Sequence, residues 1–450
     1  MILRDVAAKD RESRRRFLRT SLGLGCALAG VGCAPAVVPS SPTPARPAIA
    51  TPTIVPTFQF TSWGWPLPYE PVSARSIDWL QQRTWWPLGI GYQHLASGQN
   101  AVFAMLTTYR LMDQRRLQAF FTTHISGAEL EQVFVAGRVQ VAVIGGLPLD
   151  LMIERGVPVV SVAIVTPNLK IGTVVPSSST LQRLSQLKGS MRAIGVELNS
   201  VALAYLAIAA SMNGLTLNQD VFTQGMSVDE QATLPPTVAA VVPWEPTVSL
   251  VVDQRRTGRT IDVAFPYQFT NEHVVVRQEL VDNVPDVVQA LVDCYQEAVL
   301  LTRLRPQQAT GILATDPRLT KYSVPLLMDQ TFAYNNLYRP TFTYPFAEFW
   351  ATENASVTNL LALSGHLTQP IDASTWQKFV TSRFMDQTFA RLGWRVPSRP
   401  TWIPNNWTGT VGQPPYPPYD TVDSLHTPQP WPTPADLVRP WQFARTTYYP

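Results

Sequence analysis

Between residues 86 and 304 the chain alternates short apolar runs with longer stretches of helical spacing. Leu88-Gly-Ile-Gly-Tyr-Gln93 is an apolar run that predicts a strand. Residues 100–116 place Val102, Met105, Leu106, Tyr109 and Met112 on one helical face, which predicts a single helix. A second strand is expected at 118–124. A helix is expected at 127–136, closed by Gly137 as glycine closes many helices. Residues 139–144 are Val, Ala and Ile apart from Gln140, the composition of a strand buried on both faces. A helix at 147–155, closed by Gly156, leads to a fourth strand at 157–165. Such alternation predicts a parallel sheet wrapped by helices.

A second unit follows the first. Strands are expected at 173–176, 191–196, 221–225 and 238–242, with helices at 180–187 and 200–212. After Val263 the pattern returns to the first unit through a strand at 273–276 and a long helix at 285–304. Two lobes joined by a crossing and a recrossing enclose a cleft, with hinges expected near 174–177 and 264–269. In open α/β sheets ligands bind at the carboxyl ends of the strands, and Gly145-Gly146 stands at one such end. A dinucleotide site wants Gly-x-Gly-x-x-Gly after the first strand. Here the two glycines are adjacent, follow the third strand, and precede Pro148, which suits a first helical turn. The free N–H groups of such a turn offer a small nest for an anion or a carbonyl, unless the turn is purely structural.

The two ends have a different composition. Half of the 40 prolines lie in 35–56 and 397–450, leaving an ordinary middle between extended segments. Ser13-Arg-Arg-Arg-Phe-Leu-Arg19 resembles a twin-arginine export signal. The weakly apolar stretch 21–32 is too short and glycine-rich for a membrane span. It ends at Gly30-Val31-Gly32-Cys33, which resembles a lipobox and makes Cys33 the candidate for lipidation, although Gly30 stands where that motif usually has Leu. Plain cleavage without a lipid is the alternative. Residues 34–57, rich in Pro, Ser, Thr and Ala, read as a tether.

The net charge of +3 is concentrated in the first twenty residues, so no basic stripe remains elsewhere and nucleic-acid binding is not expected. Past Cys33 only Cys294 remains, which excludes a disulfide framework and a thiolate metal site. The five histidines lack ligand spacing, and no cofactor or metal is expected. No Gly-x-Ser-x-Gly motif is present, and the lobes hold few lysines for a Schiff base, among them Lys170, Lys188 and Lys321.

Several patches, in order, resemble the sulfonate/nitrate/taurine-type solute-binding proteins of ABC importers. They are Gly91-Tyr92-Gln93, the run Ala136 to Pro148, Leu187-Lys-Gly189, the run Ile194 to Ser200, and Val241-Val-Pro-Trp-Glu-Pro246. Gln278 to Asp286 and residues 368–393 extend the likeness, which covers about 86–394. Gln140 stands where that family usually has Asp, and Pro235-Pro236 interrupts another of its segments. The resemblance implies an α/β fold of the two-lobed periplasmic-binding-protein type (type II), with two parallel-rich mixed sheets, helices on both faces and a cleft between. The expected organisation is a signal at 1–33, the tether 34–57, lobe 1 at 86–175, lobe 2 at 176–265, the lobe 1 return at 266–396 and a Pro/Trp-rich tail at 397–450, read as a strap over the lobes, with a disordered or partner-binding segment as the alternative. The implied function is capture of a small organic solute, anionic or aromatic, for delivery to an ABC permease. The protein is expected to be an exported monomer, anchored to the membrane by its lipid and not an enzyme. An enzyme on the same fold, or a scaffold lipoprotein with a filled cleft, are the alternatives.

Candidate ligand-binding residues are Gln93 and His94 at the end of the first strand, the backbone of Gly145, Gly146 and Leu147, and Ser177 and Ser178 after the crossing. Asn199 and Ser200, which open the helix at 200–212, and the wall Trp244 and Glu245 complete the set. Ser200 and Asn199 also suit a simple helix cap. Trp63, Trp65, Trp79, Trp85 and Trp86, ahead of the first lobe, are candidates to cap the cleft.

Overall fold

The computed structural model describes residues 65, 67–93, 97–165, 170–264, 267, 271–335, 348–392, 408–414, 441–443 and 446–448. The expected signal (1–33) with Cys33, the expected tether (34–57), Trp63, His94 and most of residues 397–450 lie outside the described residues.

The first lobe is built on a five-stranded sheet ordered β2-β1-β3-β10-β4. Its strands are β1 (Leu88–Gln93), β2 (Ala119–His124), β3 (Val141–Gly145), β4 (Val159–Val165) and β10 (Glu272–Arg277). β1 pairs in parallel with β2 and β3, while β10 runs antiparallel between β3 and β4. The expected purely parallel run is thus split by the returning strand. β3 and β4 are buried at every position, in keeping with their composition of Val, Ile, Ala and Gly, with Ser161 the one polar residue.

Helix α1 (Ala74–Gln82) precedes this sheet, and α2 (Ser97–Thr108), α3 (Gly127–Val135) and α4 (Gly146–Glu154) link its strands. α3 and α4 are followed by Gly137 and Gly156, both at positive φ (76° and 69°). The helix expected over 100–116 ends at Thr108 instead; Arg110 is left-handed (φ 51°), and a separate turn forms at Asp113–Arg115. That break carries Arg115 into the core, where it meets Glu297 at 2.7 Å.

The second sheet is ordered β7-β6-β8-β5-β9. It comprises β5 (Gly172–Pro176), β6 (Ala193–Val196), β7 (Thr223–Gly225), β8 (Val238–Val241) and β9 (Gly258–Val263). β6 is parallel to β7 and β8, whereas β5 is antiparallel to β8 and β9. Between β6 and β7 lies α5 (Val201–Met212), whose residues Ala202–Ala210 are buried all round. An apolar helix without a polar face belongs between layers, and α5 packs toward α4 and toward α9 (Glu348–Leu363) of the first lobe. The helix expected at 180–187 is only a short 3₁₀ turn, Leu184–Leu187, because Arg183 is extended (φ −155°).

β4 ends at Val165 and β5 begins at Gly172, so the first crossing precedes β5, whereas a hinge at 174–177 would lie within that strand. The second lies between Val263 and Glu272. After β10 come α6 (Pro285–Leu304), α7 (Pro306–Leu313), α8 (Val324–Asn335), then α9 and α10 (Arg383–Leu392). The lobe 1 core joins Phe134, Ile144, Met152 and Ile164 to Trp350 and Trp376, with Val411 of the tail packed against it. Ser356 also donates to the Gly412 carbonyl, so residues 408–414 lie along α9.

Gln140, the departure from the resembled family, is buried and bonded at both ends. Its Oε1 accepts from Gly89 N at 3.0 Å and its Nε2 donates to the Gly137 carbonyl at 3.1 Å. The amide therefore fastens β1 to the start of β3.

Candidate functional site

The carboxyl ends of β1 and β3 in one sheet and β6 and β8 in the other meet at a common cavity. It is lined by Gln93, Gly127, Gly145, Pro148 and Glu272 from the first lobe and by Ser200, Val201 and Trp244 from the second. The antiparallel course of β10 brings Glu272 there, opposite Gly145 in the ladder. Three helices, α3, α4 and α5, begin at this cavity, at Gly127, Gly146 and Val201. Their first N–H groups have no partner within the helix and carry partial positive charge.

The lobes are shut on each other. A side-chain carbon on Gly145 would lie 2.6 Å from Val201 Cγ1, so the valine at the start of α5 rests directly on that glycine. The space left is about 10 Å³, room for about one water. A hydrogen bond from Ser126, at the start of α3, to Glu197, just past β6, adds to this seam, and burial raises the Glu197 carboxyl above its ordinary range.

One flank carries a further bridge. Arg318, bidentate to Asp316, also donates to Thr123 of β2, while Lys321 pairs with Asp229 of the second lobe. Gln254, also of the second lobe, donates to the Lys321 carbonyl (3.1 Å) and accepts from Ser323 N (3.0 Å). Residues 316–323 thus hold both lobes.

Of the residues singled out from the sequence, Gln93, Gly145, Ser200 and Trp244 line the cavity. Gly146 and Leu147 are buried in the first turn of α4, behind it. Ser200 uses its hydroxyl on the Glu197 carbonyl (2.7 Å) and does not cap α5. Asn199 is exposed in a left-handed turn (φ 58°). Glu245 is buried behind Trp244, where it pairs with Lys170 at 3.0 Å and accepts from the N–H and hydroxyl of Ser249. Ser177 and Ser178 are not brought to the site. β5 is antiparallel, so its end points away from the cleft and both serines are exposed there. Trp65, Trp79 and Trp85 do not cap the cleft either. Trp85 stands near Arg277, at the opposite end of β10, with Trp79 edge-on to it, and Trp65 lies near Arg115.

Sequence reasoning missed Gly127, Pro148, Val201 and above all Glu272. In the sequence Pro148 is noted only as suiting a first helical turn. Glu272 opens a strand next to the second crossing, a position that the return to lobe 1 already implied.

A Ser–His–Asn arrangement does occur in the first lobe. His273 Nδ1 meets Ser161 Oγ at 2.9 Å and Nε2 meets Asn271 Oδ1 at 3.2 Å. Both Ser161 and His273 are sealed in the core, the ring edge-on to Trp376, and burial lowers the imidazole to about 3. A base that weak and that enclosed cannot activate a nucleophile for an outside substrate. A larger hollow of about 450 Å³, lined by Glu70, Asp286, Gln289, Arg383 and Phe384 among others, lies beside the segment leaving the far end of β10. Its inner carboxylates are already bonded, Asp286 by Ser73 and Ser76 and Asp293 by Arg391, so the chemistry is better sought at the smaller interlobe cavity. Among the described residues no group of acidic, histidine and cysteine side chains is arranged to hold a metal.

A family model described as NMT1/THI5 like matches residues 125–309, from the approach to α3 into α7. The alkanesulfonate-binding protein SsuA from Xanthomonas axonopodis pv. citri, bound to MOPS, superposes with a TM-score of 0.56 at 20% identity, covering 64% of this chain and 96% of that one. The periplasmic aliphatic sulphonate-binding protein SsuA from Escherichia coli gives 0.54 at 18%, covering 64% and 90%. The fold is that of the periplasmic binding proteins. The periplasmic nitrate-binding protein NrtA from Synechocystis PCC 6803 shares it, with a TM-score of 0.54 at 14% identity over 68% of this chain and 88% of that one. No curated protein matches the chain in sequence. In this periplasmic-binding-protein fold the interlobe cavity lies between the facing carboxyl ends of the two sheets, the location expected for a ligand in α/β architectures. Among the described residues no helix is long and apolar enough to cross a membrane.

Proposed function

We propose that this chain is an extracytoplasmic solute-binding protein that captures a small organic molecule between its lobes and delivers it to an ABC permease. The observation that carries the reading is the cavity itself: two sheets present their carboxyl ends, and three helices their N-termini, to one enclosed space. Solved proteins of this fold that bind alkanesulfonates and nitrate support it. The Ser13–Arg19 pattern, Cys33 and the tether 34–57 fit export followed by lipid anchoring on the outer face of the cytoplasmic membrane. Binding works by hinge motion at the two crossings: Val201 leaves Gly145, the solute enters, and the lobes close on it.

The near absence of free volume favours one second reading, a scaffold lipoprotein whose cleft stays filled. A thermal-shift screen of the purified full chain against sulfonates, nitrate, taurine, thiamine pyrimidines, aromatic acids and amines separates the two. A ligand at about 100 times its dissociation constant adds about 2.7 kcal/mol of stability. A hit recovered unchanged supports capture, and a hit that is consumed identifies an enzyme. No shift across the panel favours the scaffold.

A further inference from the structure

We infer that the end of lobe 1 opposite the cavity is a docking surface for an anionic bilayer, with Arg83, Trp79, Trp85 and Arg277 at its centre. This goes beyond solute capture and rests on the lipid-anchor part of the proposed function. The four side chains form one row. The Arg83 guanidinium lies 3.6 Å from the centre of the Trp79 ring, Trp79 meets Trp85 edge-on with ring centres 5.8 Å apart, and Arg277 stands 5.6 Å from Trp85. Arg277 also donates to the carbonyls of Phe134 and Val135, which joins the row to the turn carrying Val135 and Arg138. β1 and β2 start in register at Leu88 and Ala119, so Trp86 before the one and Arg116 and Phe120 about the start of the other border the same end. Phe120 and Val135 are 43% and 46% exposed, Trp79, Trp85 and Trp86 are half-buried, and Arg83, Arg116 and Arg138 are exposed.

Arg83, Arg116, Arg138 and Arg277 have no carboxylate partner among the described residues. Of the carboxylates near them in the chain, Asp113 is paired with Arg110 and Glu131 with Arg155. Asp78, Glu279 and Asp282 stand on the flanking helices Ala74–Gln82 and Gln278–Asn283, with Arg75 beside them in the first. Positive charge is therefore in excess here, although no run of sequence shows it: the arginines come from four separate segments that the sheet gathers at one end. Indole rings settle at the level of lipid headgroups, and basic side chains are drawn to the anionic ones. A guanidinium over an indole keeps its charge while the ring supplies apolar area, and both suit that layer. The chain points to the same partner. Cys33 lies only 32 residues before Trp65, at most about 110 Å of chain, and the segment entering at Trp65 runs into α1, which carries Trp79 and is followed by Arg83. Docked in this way, lobe 1 rests on the bilayer by the amino ends of β1, β2 and β3, and the cavity lies on the side away from it.

The test adds vesicles of mixed phosphatidylglycerol and phosphatidylcholine, or of phosphatidylcholine alone, to the full chain and follows hydrogen exchange peptide by peptide. Residues 79–87 and 135–139 are expected to gain protection with the anionic vesicles only, and to lose it at high salt. In cosedimentation, Arg83→Gln combined with Arg138→Gln should weaken binding to the anionic vesicles about 25-fold, roughly fivefold for each charge. The basic residues among the first twenty are the same in both proteins, so the difference reports on this face. Equal protection by neutral vesicles, protection confined to other segments, or a double variant that binds like the wild type would each overturn the inference. So would protection of these segments by a single-stranded oligonucleotide but not by vesicles. The comparison of the two vesicles on the wild type decides the question even if the variant does not fold. Failure here leaves solute capture untouched, since the thermal-shift screen reads that separately. An exported protein found by mass to lack a lipid on Cys33 would remove the anchor without changing the vesicle result.

Discussion

Replacing Gly145 by alanine probes the closed seam at its tightest point. The new methyl would sit 2.6 Å from Val201 Cγ1, whereas carbon atoms rest comfortably near 3.5–4.0 Å, so about 1 Å must be found. Val201 has little freedom to supply it. A β-branched side chain in a helix has one strongly preferred rotamer, and leaving it costs about 0.5–1.5 kcal/mol. The alternative is for the lobes to part. Overpacking of this kind costs about 1–3 kcal/mol, which lowers the closed population relative to the open one roughly 5- to 150-fold. Each lobe keeps its own core, so the unfolding midpoint should fall little while solution scattering shows a larger radius of gyration. Adding Val201→Ala removes the opposing methyls and should restore the compact form, a coupling that a double-mutant cycle measures directly. Scattering from Gly145→Ala that superimposes on the wild type would refute the argument, as would an expansion that Val201→Ala does not reverse.

Other expectations concern stability. Arg115 and Glu297 form a salt bridge at 2.7 Å with almost no exposure, and Tyr69 donates to the same carboxylate at 2.8 Å. Arg115→Met should therefore cost about 3–5 kcal/mol in urea unfolding, and an effect below ~1 kcal/mol would show that water reaches the pair. Asp150 is fully buried and hydrogen-bonded by Asn354 and Trp376, and burial raises its carboxyl to about 7. Because the folded value lies above the unfolded one, its contribution is greatest below pH 4 and is lost as the pH rises through 7, by up to roughly 4 kcal/mol. Asp150→Asn should accordingly gain stability over the wild type between pH 5 and pH 8; parallel pH profiles would contradict this. His273 works in the opposite sense. Its folded value of about 3 lies below the unfolded value, so its contribution is complete above pH 6.5 and is lost as the pH falls toward 3. His273→Gln should flatten the acid limb of the unfolding profile, and an unchanged limb would show that some other group controls it.

The strands and helices of both lobes were largely legible because their signals are local. The largely apolar run of β4, the glycine after α3 and the proline opening α6 each act within a few residues. Lateral order was not legible. Nothing in residues 139–165 announces that a strand from beyond residue 270 will lie between β3 and β4, and that insertion is what places Glu272 at the cavity. The direction of β5 was equally hidden, so Ser177 and Ser178 were assigned to the wrong end of it. Gln93, Gly145, Ser200 and Trp244 were found because they follow strands at carboxyl ends, a rule that needs chain order alone. Val201 was passed over because an aliphatic residue opening an apolar helix looks like core from its sequence.

The flank held by residues 316–323 has a kinetic meaning. The lobes share two covalent crossings, and this flank adds a third, breakable connection, made of the two Gln254 hydrogen bonds and the Lys321–Asp229 pair, whose charged groups are partly exposed, at 29% and 58%. Opening then resembles unfastening a clasp before turning a page: the free edge cannot swing until these contacts, the ion pair among them, let go. Salt weakens partly exposed ion pairs. Even for an uncharged molecule, for which attraction from a distance plays no part, the association rate should climb with ionic strength. The speed of loading would be set by a contact on the flank of the protein, outside the ring of residues that line the cavity.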